Sequence, residues 1–302
     1  PTRRSSDLER TVGSEPLLGS INHDTDFEHV HEGQSNHYLS QVKRLVRKFE
    51  KELQSVIQQV ESTHKRHGPR LDLLEVMCSA ESELTGQVRK LGGKAERFGR
   101  IQGDLQTPEG RKKLFVTMAS QKPKHLWYSP ECKPWCQWSN FNMSRSIASH
   151  EEIMRQRQDN LWQAALGIVL FRFQWDNKCH FDLEQPRGSA YWKIPGMSEI
   201  VGNTHWNEFD LCRVGNLRDP LTLEHIRKRL TVCSTSLDFH TSLHGKLCSG
   251  DHQHRNISGN TKVNGETIRL SQWTEIYPRK FAKQVAKIIL HDQKPRSSHK
   301  EA

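Results

Sequence analysis

The sequence lacks any long hydrophobic run. Its longest unbroken apolar stretch is residues 164–171, whereas a helix that crosses a bilayer needs about 20 apolar residues. Membrane-spanning classes are therefore excluded, and no membrane partner is expected. Hydrophobic residues make up only 34% of the 302 residues, a low share, which predicts that part of the chain is unstructured tail.

The sequence also lacks a paired set of cysteines and an acidic balance of charge. The seven cysteines are odd in number and scattered, and no signal peptide precedes them, so a disulfide framework is not expected. This usage predicts a reducing, intracellular location, nuclear or cytoplasmic. Lysine and arginine number 45 against 35 acidic residues, for a net charge of +10. The excess favours an anionic partner such as nucleic acid.

Composition divides the chain into four parts. Residues 1–35 have no hydrophobic periodicity and are predicted to be a disordered tail. Their opening letters, PTRRSSDL, resemble translated sequencing-adaptor sequence, so nothing is built on that start. Residues 36–68 are predicted to be an amphipathic helix, residues 69–291 a folded domain, and residues 292–302 a second disordered tail.

The predicted helix has apolar residues at steps of three and four and basic residues on its other faces. Gly68 and Pro69 end the pattern. A helix of this kind either packs on the domain behind it or uses residues 37–65 for a coiled-coil contact with another chain. The apolar positions are Leu39, Val42, Leu45, Val46, Phe49, Leu53, Val56, Ile57 and Val60.

From residue 71 onward, segments typical of strands alternate with segments typical of helices. The predicted strands are LDLLEVM, KAERFGR, GDL, KHLWYS, CHFDLEQP, FDLCRVG and RLTVCST, and the helices between them include ESELTGQVRKLG, TPEGRKKLFVTMASQ and residues 149–175. Such alternation predicts an α/β domain whose mostly parallel sheet is covered by helices on both faces. Ligands bind at the carboxyl ends of the strands in sheets of this type.

Five short segments fall at or near strand ends, in the order LLEVMCSAES, GDLQTPEG, SPECKPWC, LEQP and IRKRLTV. Their order and spacing resemble the C5-cytosine DNA methyltransferase family, especially its small divergent members in phage and retroelement-like sequences. The resemblance covers residues 70–291. It implies a Rossmann-like methyltransferase fold, DNA as the partner and S-adenosylmethionine as the cofactor that supplies a methyl group.

The resemblance implies roles for four catalytic residues. Cys132 of SPEC matches the nucleophile, whose thiolate adds to C6 of cytosine. Glu184 of LEQP matches the acid that binds the cytosine N3 and exocyclic amine. Arg227 and Arg229 match the Arg-x-Arg pair near the base and the nucleotide backbone, although such a run is also typical of a solvated basic surface.

It also implies a cofactor pocket at the first strand ends. Glu75 matches the acid of the first strand, Asp104 the residue that binds the adenine amino group, and Glu96 the acid for the ribose hydroxyls. Asp104 could equally cap the helix that follows it. The whole expected set is Glu75, Ser79, Ala80, Glu96, Asp104, Ser129 and Pro130.

The sequence departs from the family pattern in several places. Ser79, Glu81 and Ser82 stand where the family has glycines, Glu131 replaces its second proline, and Gln185 replaces its Asn. Glycine permits close backbone approach to a cofactor. The target-recognition region, residues 234–269, is short. These losses favour one alternative, a catalytically decayed domain of a mobile-element polyprotein that keeps nucleic-acid binding.

A second alternative is a non-enzymatic, zinc-dependent nucleic-acid-binding module. Its candidate ligands are Cys132, Cys136, Cys248, His252 and His254. Their spacing is not that of a common zinc finger, and 17 histidines make chance clusters frequent, so no metal is expected. Cys132 could also be a simple buried residue. The tryptophans at 127, 135 and 138 are interpreted as core or loop anchors.

Overall fold

The computed structural model describes residues 28–63 and 70–292. Its helices are α1 Glu28–Ser62, α2 Glu83–Lys90, α3 Pro108–Gln121, α4 Gln137–Met143, α5 Ile147–Asp176, α6 Met197–Gly202, α7 Leu211–Gly215, α8 Leu237–Leu243, α9 Leu270–Trp273 and α10 Arg279–His291, with a 3-10 turn at Ala190–Lys193. Its strands are β1 Leu73–Val76, β2 Ala95–Phe98, β3 His125–Tyr128, β4 His180–Pro186, β5 His205–Asp210, β6 His225–Ile226, β7 Arg229–Ser234, β8 His254–Arg255, β9 Asn260–Val263 and β10 Glu266–Arg269.

Six strands form the central sheet, in the order β2-β1-β3-β4-β7-β5. Strands β1 to β4 are mutually parallel, and β7 is antiparallel to both of its neighbours. Val76 pairs with Tyr128, which in turn pairs with Leu183, so these strands reach one edge together. The predicted α/β class and mostly parallel sheet are confirmed.

Helices cover both faces of the sheet, and each face has its own apolar core. Strands β1 and β3 are buried at every position, as expected where neither face meets water. Helices α1, α3 and α5 supply one core, and α2, α7, α8 and α10 supply most of the other. Within the described residues, no helix is both long enough and apolar enough to cross a membrane.

Helix α1 is an integral part of this domain. Its apolar face packs on α3 and α5, and Glu52 forms an ion pair with the buried Arg111 of α3 at 2.7 Å. The helix begins at Glu28, earlier than the predicted start at residue 36. Extending an anchored helix adds a hydrogen bond per residue without a new nucleation cost. Residues 1–27, 64–69 and 293–302, with the tail predictions that fall on them, lie outside the described residues.

Within the described residues, one predicted strand is shorter than expected and another is a loop. The segment FDLCRVG is a strand only as far as Asp210, which pairs with Arg229, the first residue of β7. The Leu211 backbone N–H still donates to the Lys228 carbonyl oxygen at 2.9 Å, but the ladder of β7 begins only at Arg229, and residues 211–215 turn into α7. The GDL segment is a loop, because residues 99–107 are too few for the crossover that another parallel strand requires.

Candidate active site at the carboxyl edge of the sheet

The loop after β3 and the end of β4 meet at the carboxyl edge of the sheet. Tyr128 pairs with Leu183, so Glu184 continues β4 at the level where the loop containing Cys132 leaves β3. The Glu184 carboxylate contributes electrostatically to the pKa of the Cys132 thiol. The structure therefore brings together the two residues that the sequence assigned to nucleophile and base recognition.

Glu184 is half-buried and contacts the segment that leads into α10. The hydroxyl of Tyr277 donates a hydrogen bond to Glu184 Oε2 at 3.0 Å and lies 3.0 Å from the Ser129 hydroxyl. Burial raises the pKa of Glu184, and the Lys228 ammonium and the Tyr277 hydrogen bond only partly oppose that rise. Glu184 is therefore protonated more readily than an exposed glutamate.

The Cys132 thiol is half-buried in a tight turn. The carbonyl oxygen of Cys132 accepts hydrogen bonds from the backbone N–H groups of Trp135 and Cys136, at 3.0 and 2.9 Å. Burial raises the pKa of Cys132 to about 11, Lys228 lowers it, and Glu184 raises it. The thiol is therefore held in place but stays protonated at neutral pH when no substrate is bound.

Two glutamines fix the loop between β3 and α4. Gln163 of α5 accepts a hydrogen bond from the Glu131 backbone N–H at 2.8 Å. Gln185 donates one to the carbonyl oxygen of Pro130 at 2.7 Å, and its own side-chain oxygen accepts from Ser189 at 3.0 Å. Gln185 thus orders the loop from the neighbouring strand.

The aromatic residues of this loop fall into two groups. Trp135 is buried, and the Arg157 guanidinium lies over its ring, 5.4 Å from the ring centroid. Arg157 also donates a hydrogen bond to the Pro134 carbonyl oxygen. Trp138 and Phe141 of α4 pack edge to face but are 68% and 59% exposed. Trp135 therefore anchors the loop, whereas Trp138 and Phe141 present an aromatic surface beside it.

The Arg-x-Arg pair contacts Asp210 and not Glu184. Both arginines approach the buried carboxylate of Asp210, Arg229 at 2.8 Å and the more exposed Arg227 at 3.6 Å. Lys228, between them, acts on Glu184 instead and donates to the Thr274 carbonyl oxygen at 2.6 Å. The sequence prediction did not include Lys228, although its position between the two arginines indicates that its side chain faces the opposite way from theirs.

The turn between β1 and α2 is held by internal contacts. The buried Glu75 carboxylate accepts hydrogen bonds from the Ser82 hydroxyl at 2.6 Å and from the Thr85 backbone N–H at 3.1 Å. The Arg97 guanidinium donates to the carbonyl oxygens of Ala80 and Ser82. Glu75 therefore satisfies the Thr85 N–H group near the amino end of α2, where an anionic ligand group would otherwise bind.

The remaining predicted cofactor residues lie in different places. Asp104 and Ser79 are exposed near the ends of β2 and β1. Asp104 Oδ1 accepts from the Gln106 backbone N–H at 3.0 Å. Glu96 lies inside β2, where it accepts from Gln121 at the carboxyl end of α3. Since α3 leads to the start of β3, Glu96 faces the amino edge of the sheet, away from Asp104.

Potential metal ligands gather in two places within residues 28–63 and 70–292, and neither includes Cys132 or Cys136. The groups are Cys212, Cys248, His252 and His254, and the buried set His125, His180 and Asp292. The buried set is part of a polar network at the amino edge of the sheet, where His125 Nδ1 lies 3.0 Å from an oxygen of Asp182. Asp292 also accepts a hydrogen bond from the Ser236 hydroxyl.

The comparisons with known proteins gave no relative from which these roles could be transferred. No protein-family model matches the sequence, and no curated protein matches it either. The function of the carboxyl edge is therefore inferred from the geometry of Cys132, Glu184 and their neighbours.

Proposed function

We propose that this protein transfers a methyl group from S-adenosylmethionine to C5 of cytosine in DNA. The observation that carries the proposal is the meeting of Cys132 and Glu184 at the ends of adjacent parallel strands. Lys228 acts on the pKa of both side chains. A nucleophile, a group that recognises the base and a cation thus lie at the edge where sheets of this type bind ligands.

In the proposed reaction, the Cys132 thiolate adds to C6 of an extruded cytosine, and the C5–C6 π electrons become available at C5. S-adenosylmethionine, when bound, supplies an electrophilic methyl group. After C5 has taken that methyl group, loss of the C5 proton to solvent re-forms the double bond and expels the thiolate. The target base must leave the duplex stack to reach Cys132.

Glu184 suits the recognition of cytosine N3. Because burial raises its pKa, a neutral carboxyl can donate a hydrogen bond to N3, which draws electrons from the ring and assists addition at C6. The Tyr277 hydroxyl orients Glu184 by donating to its Oε2 atom. Lys228 favours the thiolate that must form at Cys132.

Exposed groups at the first two strand ends fit a cosubstrate. Ser79 and Ala80 are exposed at the end of β1, and the Asp104 carboxylate is exposed in the loop after β2. Asp104 can accept a hydrogen bond from an adenine amino group. The order of the central sheet, with one antiparallel strand between its last two parallel strands, also resembles that of S-adenosylmethionine-dependent methyltransferases.

Charge and aromatic surface support DNA as the substrate. The net charge is +10, and α1 presents a row of exposed lysines and arginines. Trp138 and Phe141, exposed next to the Cys132 loop, can stack on unpaired bases. The basic row is Lys43, Arg44, Arg47, Lys48 and Lys51.

One observation favours a second candidate, a catalytically decayed domain that retains DNA binding. Glu75 occupies the amino end of α2, and Arg97 fixes the turn where the family has glycines. A cosubstrate whose carboxylate needs those N–H groups would have to displace Glu75. This candidate predicts DNA binding without cofactor binding.

Covalent trapping separates the two candidates. DNA that contains 5-fluorocytosine should form a stable adduct with the protein when S-adenosylmethionine is present, because fluorine blocks the elimination step. Cys132→Ser should abolish the adduct. Cys136→Ser is the matched control, since Cys136 is half-buried in the same loop, and it should retain most of the adduct.

Two results would contradict catalysis by Cys132. One is trapping that survives Cys132→Ser but not Cys136→Ser. The other is absence of trapping by a protein that a calorimetric titration shows to bind S-adenosylmethionine. DNA binding with no cofactor binding at millimolar concentration would select the decayed domain.

A further inference from the structure

We propose that Cys212, Cys248, His252 and His254 form a structural zinc site. Cys212 comes from α7, directly after β5, and the other three come from one loop and the start of β8. One ligand atom of each residue lies within 4.8 Å of all the others. Two cysteines and two histidines are a common set of ligands for structural zinc.

The distances fit a tetrahedral ion. Zn–S bonds of about 2.3 Å and Zn–N bonds of about 2.0–2.1 Å place adjacent sulfur and nitrogen ligands about 3.6 Å apart. Cys248 Sγ lies 3.5 Å from His252 Nε2 and 3.4 Å from His254 Nε2. Both imidazoles therefore approach the same sulfur at the separation that a shared metal requires. Cys212 and Cys248 are free thiols, so neither is used in a disulfide.

The groups around the cluster orient its ligands. Asp251 Oδ1 lies 2.7 Å from His252 Nδ1, which favours a proton on Nδ1 and leaves Nε2 free to bind a metal. The Gly250 backbone N–H donates to Cys248 Sγ at 3.4 Å, a contact that stabilises a thiolate. Gly250 has a φ of +81°, which allows the chain to fold back over the sulfur.

The segment around the cluster has little hydrophobic burial, and a bound metal would stabilise it instead. Of residues 246–269, only Thr261 is buried. Polar contacts hold this segment, including the ion pair of Arg255 with Asp219 and the hydrogen bond of Thr261 with Asp219. A segment without its own core needs a cross-link of another kind, and zinc ligation contributes folding free energy directly.

The site is placed to support the wall of the carboxyl edge. The Cys248 backbone N–H donates to Asp210 at 2.8 Å, the carboxylate that also binds Arg229. The same segment leads through α9 to Thr274 and Tyr277, which contact Lys228 and Glu184. Zinc would therefore fix the β5 end, the β7 start and the Tyr277 side of the edge relative to one another. The inference stands on the four ligands alone and does not depend on methyl transfer.

Metal analysis of the full chain, purified without chelator, tests the site. About one zinc per chain is expected. Cys248→Ser and His254→Gln should lose it, and Cys136→Ser should keep it, since Cys136 is an equally half-buried thiol outside the cluster. Because a variant could fail to fold, Co²⁺ exchange into the intact chain is the second measurement. It should give the absorption bands of a tetrahedral site together with thiolate-to-cobalt charge transfer.

The outcomes are decisive without any assay of activity. An intact chain that contains no zinc and takes up neither Zn²⁺ nor Co²⁺ on dialysis overturns the proposal. Zinc that survives Cys248→Ser but is lost in Cys136→Ser also overturns it. A metal-binding chain that fails to trap 5-fluorocytosine DNA would leave the zinc site standing and reject only the catalytic proposal.

Discussion

The guanidinium of Arg229 forms two parallel hydrogen bonds with the carboxylate of Asp210, Nε to Oδ1 at 2.8 Å and the terminal nitrogen to Oδ2 at 2.9 Å. Asp210 is fully buried and ends β5, whereas Arg229 begins β7. Paired geometry of this kind is strong and specific. Arg229 is therefore committed to holding two strands together at the carboxyl edge.

Arg229→Met should lower the free energy of unfolding by about 3–5 kcal/mol, because it leaves a buried carboxylate without its main partner. Arg227→Met is the matched control. Arg227 is 51% exposed and 3.6 Å from Asp210, so its loss should cost no more than about 1 kcal/mol. Urea denaturation followed by circular dichroism measures both. Equal losses in the two variants would show that Asp210 does not depend on Arg229.

The parallel part of the sheet could be predicted from sequence because its strands β1 and β3 are buried on both faces. Runs such as LDLLEVM and KHLWYS contain short apolar stretches and lie between helical patterns. The end of β5 could not be predicted locally. FDLCRVG has the composition of a strand, but its length is set by where β7 begins, at Arg229.

The site was predictable where it depends on strand ends and unpredictable where it depends on packing. Cys132 follows β3 and Glu184 lies near the end of β4, so the parallel pairing of these two strands brings the residues to one edge. Tyr277 reaches Glu184 only because α10 packs against the sheet. Cys212 and Cys248 are far apart in the sequence and meet only in the fold, so no local motif predicts that they lie together. The segment CSGDHQH itself was a visible signal.

Glu184 should make stability depend on pH. Burial raises its pKa in the folded state, so the folded protein binds more protons than the unfolded chain. Its contribution to stability therefore falls as pH rises above the unfolded value of about 4.3. The stability of Glu184→Gln relative to the wild type should therefore increase as the pH rises from about 5 to about 8, a range above the unfolded pKa. Tyr277→Phe should make stability depend more strongly on pH, because it removes a hydrogen bond that lowers the pKa of Glu184. Urea titrations across this range measure both effects, and a constant difference between wild type and Glu184→Gln would contradict the pKa shift.

The Cys132 thiol should react slowly at neutral pH. Since its pKa is about 11, its alkylation by iodoacetamide should keep rising with pH through that value, because only the thiolate reacts. Lys228→Met should slow alkylation at every pH below the plateau, since the Lys228 ammonium lowers the pKa. Mass spectrometry of the peptide containing Cys132 gives its rate apart from the other cysteines. A plateau reached by about pH 8, near the value of an ordinary thiol, would show that the free protein already activates it.

Asp104 and Glu96 provide a matched pair for the cofactor pocket. Asp104→Ala should weaken S-adenosylmethionine binding by about 1–3 kcal/mol, as for a lost hydrogen bond to a bound ligand. Glu96→Gln should leave binding unchanged, because Glu96 is hydrogen-bonded to Gln121 on the side away from Asp104. Calorimetric titration measures both variants. If only Glu96→Gln weakened binding, the cosubstrate would have to bind away from the carboxyl edge.

Two exposed tryptophans at opposite edges of the sheet test the proposed DNA-binding surface. Trp138 follows the Cys132 loop at the carboxyl edge, whereas Trp175 ends α5 just before β4 begins, at the amino edge. If Trp138 stacks on a base near the extruded cytosine, Trp138→Ala should weaken binding of single-stranded DNA by about 1–3 kcal/mol. Trp175→Ala should leave it unchanged, because Trp175 lies at the amino edge, away from the Cys132 loop. Fluorescence anisotropy at one fixed salt concentration is required, since phosphate contacts make the affinity depend on salt. Equal effects of the two substitutions would mean that DNA does not bind beside Cys132, and a loss confined to Trp175→Ala would place it at the opposite edge.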